Sequence, residues 1–343
     1  MEKYFEHSGK VVEAGNKFEH VMAISLDPRT QYQEGVIRCI TNREGDVTVK
    51  GYVDRSELYK LKGISLEHFE IVGGLKFKNE KEILNRLIPE GWDFIGFEDP
   101  DIWIDPVTDL MHLYFTIPVR PSAKMRDDGE RIKIHLGHAV GHDLDSLEMT
   151  MPVLMGTVQL SAKEVSIAPL NSKGFRYNLI ESRDRQTDTT YSIVKVAIAE
   201  DMGKPWKYGE IRFHSKEYNI SWIGGHASPG PLLPKSFIDV GEGKLLGIIN
   251  GREANQKMGD KIKYGIFSIG LFIYDYENGK IDWVSPEPLI RDSEAKIITF
   301  ASQFVETGEG EGILYAHVDD SFVRAYTLKA ESLKSILPAK FVL

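Results

Sequence analysis

The chain has 343 residues, with 51 acidic side chains against 42 basic ones, a formal charge of -9, 42% hydrophobic residues and 27% charged ones. This is the balance of a folded chain with a sizeable core, and without a basic run it excludes a polyanion binder, because phosphate neutralisation needs clustered Lys and Arg. The one cysteine, Cys39, excludes an intramolecular disulfide and a multi-cysteine zinc site, and no apolar run approaches the ~20 residues that span a bilayer. The start, Met1 to His7, lacks the apolar stretch of a secretory signal. The expected setting is therefore the reducing cytoplasm, with no nucleic-acid and no membrane partner.

Taken in chain order, short alternating or apolar runs dominate: residues 21–26, 35–40, 102–104, 111–116, 132–136, 191–197, 244–249, 312–316 and 322–326. Each is bounded by Gly, Pro, Asp or Asn, the turn chemistry of an antiparallel all-β protein. Two stretches read as helix, Asn79 to Leu87 with Asn79 as its N-cap, and Ala330 to Leu337. Neither is long enough to define a helical domain.

A repeat organises these runs. A polar residue opening a short apolar or proline-broken strand recurs at Glu19-His20, Glu98-Asp99-Pro100, Lys163-Glu164, Gly225-His226 and Thr299-Phe300. A second strand with an aromatic or apolar core follows, as at His112 to Phe115 and Phe175 to Asn178, then a third of small residues, as at Leu136 to Val140 and Val196 to Ala199. Five units of one supersecondary type predict a five-bladed β-propeller, and without a linker or composition shift residues 1–343 read as one catalytic domain. Innermost propeller strands run beside the central axis, so the residues at their entries would share one depression.

The acidic run Glu98-Asp99-Pro100-Asp101 precedes Ile-Trp-Ile and a strand, which sets an acidic cluster at the mouth of a buried strand. Glu164 has the same placement in the third unit. Carboxylates converging from separate strands are what glycosyl transfer needs, one to protonate the leaving oxygen and one to activate water or attack the sugar. In Trp222 to Leu233 the glycines and prolines permit close backbone approach, and His226 is placed to bond a sugar. Trp92, Trp103, Trp222, Tyr114 and Tyr177 read either as core or as stacking platforms. Other chemistries lack their motifs: there is no phosphate loop, the Gly-Glu-Gly-Glu-Gly at 308–312 being an acidic hairpin, no His-Glu-x-x-His and no Gly-x-Ser-x-Gly. Strand alternation puts His135 and His138 on opposite faces, which argues against a metal there. No ligand spacing supports calcium, and no metal or other cofactor is expected.

The pattern resembles the five-bladed propeller glycosidases, and most of all glycoside hydrolase family 130, the β-mannoside phosphorylases and hydrolases. Arg38 resembles that family's first-blade arginine, and Ile64 to Glu70 is similar to its Ser-x-Asp-Gly-x-x-Phe hairpin. Glu98-Asp-Pro-Asp-Ile102 is similar to its Glu-Asp-Pro-Arg-Ile, which implies Asp99 as general acid. Ala139 to Leu144 resembles the Ala-x-Ser-x-Asp-Leu turn, and Lys163-Glu164 stands where the family has Lys-Asp. Ile223 to Pro231 is similar to Ile-Gly-x-Gly-x-Pro-Pro, and Tyr315 to Asp319 to Tyr-Gly-x-x-Asp. Two departures favour hydrolysis over phosphorolysis. Asp101 replaces an arginine, and Leu179-Ile-Glu181-Ser182 stands where phosphorylases have a His-Arg pair, whereas phosphate capture needs clustered cations.

The resulting expectation is an inverting, exo-acting glycoside hydrolase acting on β-mannoside-type oligosaccharides. Asp99 is its acid and Glu164 or Glu181 its base. Arg38, Glu98, Asp101, Lys163, His226 and Asp319 are expected to bind the oligosaccharide or glycoside substrate. The alternatives are a β-mannoside phosphorylase, an arabinofuranosidase or xylosidase similar to family 43, and a non-catalytic carbohydrate-binding propeller. The sequence leaves a homo-oligomer open.

Overall fold

The computed structural model describes residues 4–49, 52–122, 132–186, 189–259 and 261–342. Its main sheets are five, ordered around an axis as the five repeat units require. The innermost strands are His20–Leu26, Glu98–Ile104, Lys163–Ser166, His226–Leu232 and Thr299–Gly308. These are the five entries picked out by their odd polar residues. Each pairs antiparallel with the next strand outward: Glu34–Glu44, Met111–Pro121, Arg176–Gln186, Lys244–Arg252 and Glu311–Val318. Every one of the nine runs read from the sequence lies in or overlaps a strand.

The ring closes through the chain's own start. Phe5–Glu13 pairs antiparallel with Phe322–Lys329 and forms the outer edge of the fifth blade. Both ends of the described chain are thereby held in one sheet. The sequence reading did not anticipate this strand, since its burial alternates only at its ends. Between blades the apolar faces interdigitate. Phe77 stacks on Phe115 at 4.9 Å and meets Phe97 edge-on at 5.4 Å, joining the first loop connection to the second blade.

The two helices are short, Glu80–Leu87 and Ala330–Lys334. Asn79 does precede the first, but in the left-handed region (φ 61°) and without a capping bond. Its amide instead donates to Glu148 Oε1 at 2.7 Å, so a tertiary contact replaces the expected cap. The Gly308–Gly312 segment is the hairpin expected of it. No helix is long and apolar enough to cross a membrane.

One backbone feature recurs where the inner strands enter the ring. Ala23, Asp99 and Glu164 all have positive φ, 48°, 47° and 51°, and the strand register slips at each. A bulge of this kind re-aims one side chain out of the regular alternation. Left-handed backbone is costly for residues other than glycine and persists only where surrounding structure enforces it.

Candidate active site

The cleft forms at the entry ends of the inner strands. Where strand one of a blade carries Met22, Glu98, Lys163, His226 or Phe300, strand two sets Arg38, Thr116, Glu181, Arg252 or His317 directly opposite. Nine of these ten residues, all but Thr116, line one depression of about 490 Å³ together with Tyr52, Asp54, Asp99, Glu164, Tyr264, Phe267 and Asp320. Repetition of one strand pair five times thus delivers a ring of alternating charge.

The first blade supplies the anchor. Gly96 passes so close to the backbone of Ser56 that a Cβ there would sit 2.1 Å from the Ser56 carbonyl oxygen, and only glycine tolerates this approach with φ 147°. Ser56 Oγ then donates to the Phe97 carbonyl (3.0 Å) and accepts from Arg38 Nε (3.1 Å). The Arg38 guanidinium, fixed in this way, donates from Nη1 to Asp99 Oδ1 (2.9 Å) and from Nη2 to Glu98 Oε1 (2.8 Å). Burial lowers the arginine's affinity for its proton, but Glu98 and Asp99 outweigh that and hold it charged. Asp99 Oδ2 is buried with no hydrogen-bond partner, which is uncommon for an acceptor and points to a working group.

The third blade supplies two carboxyls in opposite states. Burial and then the adjacent charge of Asp99 push the Glu164 carboxyl well above its ordinary value, against the pull of Lys163. Glu181 is equally buried, and burial alone would raise it. His226, whose Nε2 lies 3.1 Å from its Oε2, and Lys163, at 3.8 Å, overcome that and hold it at about 2. The Lys163 ammonium stands between the two, 3.9 Å from Glu164. Glu98 is pushed up to about 7, by burial first and by Asp99, with Arg38 opposing. Burial lowers the His226 imidazole although Glu181 favours its charged form. On either side of one cation the cleft therefore holds a carboxyl that keeps its proton more tightly than usual and one that gives it up more readily.

Of the residues expected from sequence, Arg38, Glu98, Asp99, Lys163, Glu164, Glu181 and His226 meet in this cleft. Asp101 does not. It lies further down the same strand, on a separate axial cavity of about 170 Å³ that also touches Asp99 and Glu164. The register slip between Glu98 and Asp101 is the reason: strict alternation would set Asp99 and Asp101 together on the face opposite Glu98, and the bulge turns Asp99 into the cleft beside Glu98 without Asp101. Asp319 is also elsewhere. Its carboxylate accepts the backbone N–H groups of Lys296, Ile297 and Ile298 at 2.8–3.0 Å, a turn-fixing role. The next residue, Asp320, faces the cleft instead, 3.1 Å from His317 Nε2.

The proposed stacking residues Trp92, Trp222, Tyr114 and Tyr177 are absent from the cleft lining, and Trp103 is on the axial cavity. Trp222 and Tyr114 are buried in the core. The aromatic walls are Tyr52, Tyr264, Phe267 and Phe300. The sequence reading also missed Arg252, His317 and Asp320. The signal for the first two was the repeat itself, since Arg38 and Glu181 mark the second-strand position that Arg252 and His317 share. The cleft is bounded on one side by the loop after Arg252, whose Tyr264 N–H donates to the Thr48 carbonyl at 3.1 Å, linking the fourth blade to the first. Among the described residues no group of three or more His, Cys, Asp or Glu is arranged to hold a metal ion.

No protein-family model and no curated protein matches the chain. Solved structures do. A β-1,2-mannobiose phosphorylase from Listeria innocua aligns with a TM-score of 0.62 at 13% identity, over 97% of this chain and 93% of that one. A structure described with glycoside hydrolases of family 130 that target β-1,2 mannosidic linkages in Candida mannan aligns at 0.65 and 16%, over 95% and 94%. A glycosyl hydrolase from Bacteroides ovatus aligns at 0.64 and 15%, over 95% and 94%. The resemblance read from the motifs is thus matched in three dimensions over nearly the whole chain, and at these identities what it establishes is the five-bladed β-propeller fold.

Proposed function

We propose that this protein is a carbohydrate-active enzyme, an inverting and exo-acting glycoside hydrolase for β-mannoside-type oligosaccharides. The observation that carries the reading is the placing of two buried carboxyls, Glu164 and Glu181, on either side of Lys163 at 3.9 and 3.8 Å, with surroundings that shift them in opposite directions. A glycosidase needs an acid and a base at once, and two carboxyls driven apart by their surroundings can supply both near neutral pH.

In this mechanism Asp99 gives a proton to the glycosidic oxygen as the C1–O bond breaks. Glu181, ionised, accepts a proton from a water whose oxygen attacks C1 from the other face. An inverting reaction requires the acid and base carboxyls to stand far enough apart for water to fit between them, and Asp99 and Glu181 enter the cleft from different blades. Arg38 fixes Asp99 and Glu98, and His226 orients Glu181 while offering a ring nitrogen to the sugar. The loop at Tyr264 bounds the cleft on one side, and the exo-acting mode proposed here has the terminal sugar seated against it. The mannoside preference rests on likeness to structures described as acting on mannosides. Hydrolysis is preferred to phosphorolysis because two of the cleft's cations, Arg38 and Lys163, are each already held between two carboxyls.

A panel of β-mannosides and α-arabinofuranosides, each assayed with and without inorganic phosphate, tests the reading. Free mannose released at a rate indifferent to phosphate is the expected result. Sugar phosphate as product sinks hydrolysis, arabinose release sinks the mannoside, and oligosaccharide binding without any release leaves only a lectin-like propeller.

A further inference from the structure

We infer that Arg252 is the anion-reading position of the cleft, and that the sugar the cleft takes carries a carboxylate, as a uronosyl residue does. This deepens the hydrolase reading and rests on it for the location of the sugar. Arg38 and Lys163 are each held between two carboxylates, but Arg252 is not. It ends the second strand of the fourth blade, is only 8% exposed, and lines the cleft. Its Nε has no hydrogen-bond partner, and its one bond is a long one, Nη2 to the Gly225 carbonyl at 3.4 Å. Among the described residues no carboxylate lies within ion-pair distance of it.

The faces of the guanidinium are spoken for. Its Cζ lies 4.4 Å from the Tyr264 ring centroid and 5.3 Å from that of Phe267, and such stacking offsets part of the cost of burying a cation. What remains is the donor edge, and a planar fork of N–H groups matches a carboxylate in two parallel bonds. A bound carboxylate would satisfy the buried Nε donor that the described residues leave unmet. Glu181 lies on the same side, bonded to His226 opposite Arg252 in the strand pair. Its charge opposes a dianionic phosphate more strongly than a singly charged carboxylate, which favours the uronate over the phosphate as the anion bound.

The test compares 4-nitrophenyl β-glycosides that differ only at C6, mannuronide against mannoside and glucuronide against glucoside, in wild-type protein, Arg252→Met and Arg252→Lys. Isothermal titration with mannuronate, glucuronate, mannose and inorganic phosphate at one ionic strength runs beside it. Wild-type protein should favour the uronoside in kcat/KM by roughly 10–100-fold, the range for a charged hydrogen-bonded contact. That ratio should fall to near one in Arg252→Met and to an intermediate value in Arg252→Lys, which keeps the charge but loses the fork. If Arg252→Met does not fold, the lysine variant carries the comparison. Equal ratios in all three proteins overturn the inference, as does phosphate that binds and accelerates turnover only when Arg252 is present. If no glycoside is cleaved but mannuronate or glucuronate binds at least tenfold tighter than mannose, and loses that margin in the variants, the anion site stands and the hydrolase reading falls. Cleavage of mannosides with no margin for uronates has the reverse meaning.

Discussion

The cleft and the axial cavity beneath it are built by the same strands, share Asp99 and Glu164, and treat carboxyls in opposite ways. In the cleft every acidic side chain of the strand entries has a basic partner at hand: Arg38 for Glu98 and Asp99, Lys163 for Glu164, and Lys163 and the His226 imidazole for Glu181. In the cavity Asp101 has none, and burial alone pushes its carboxyl up to about 7. Three carboxyls within one tetrapeptide thus divide into a pair bridged by Arg38 and a third whose ionisation costs the fold. The difference teaches that position relative to the bulge, rather than residue type, decides what each acid does.

The largest effect that sharpens this contrast is on turnover. Glu181→Gln keeps the size of the side chain but removes its charge, and kcat should fall by roughly 10²–10⁴-fold, the usual worth of a positioned acid or base. Steady-state kinetics with an unfolding curve as control reads it; a fall below tenfold would take Glu181 out of the chemistry. The pH profile should match. Activity should decline in acid as Glu181, at about 2 in the unliganded protein, takes a proton, and in alkali as the raised Glu164 carboxyl loses its own.

Arg38→Met comes next, as a stability effect. It leaves two buried carboxylates without their cation, and breaking such a network typically costs about 3–5 kcal/mol at neutral pH. Because both carboxyls can then be protonated, the loss should shrink towards pH 4. Chemical denaturation at pH 4 and pH 7.5 measures it, and a loss independent of pH would show that packing rather than charge is at stake.

The smallest effect belongs to the cavity. The folded Asp101 value is raised above that of the free side chain, so its contribution is fully present below about pH 4 and is lost as pH rises through 7. Asp101→Asn abolishes that titration. The variant should match wild type near pH 4 and be more stable at pH 8 by on the order of 2 kcal/mol, less than the full burial penalty because the cavity admits solvent. Thermal unfolding at both values reads this as a few degrees gained at pH 8 only, and a loss of stability there would refute the contrast.

Much of the architecture was legible because propellers repeat. The polar residues at 20, 98, 163, 226 and 299 each open an inner strand, and alternation alone found the strands behind them. The closing strand Phe5–Glu13 was not legible, since its half-exposed edge carries no continuous pattern. The site was legible in part. Asp99, Glu164 and Glu181 line one cleft, the first two expected there from the repeat and the third from the resemblance, but the φ values of 47° and 51° at Asp99 and Glu164 have no composition signature. Without them Asp101 looks like a neighbour of Asp99 in one site. The choice between Asp319 and Asp320 turned on a single residue in a turn where both have positive φ, and periodicity has no grip there. Arg252 was hidden for a different reason, because its meaning depends on the residue opposite it.

The central claim is that an ionised Glu181 activates water on the face of the sugar opposite the proton donor. Proton NMR of the first sugar released from a β-mannoside, recorded before mutarotation, tests it most directly. The account predicts α-mannose as the first-formed anomer, in equal amount with and without phosphate. β-Mannose, or α-mannose 1-phosphate when phosphate is present, would contradict it.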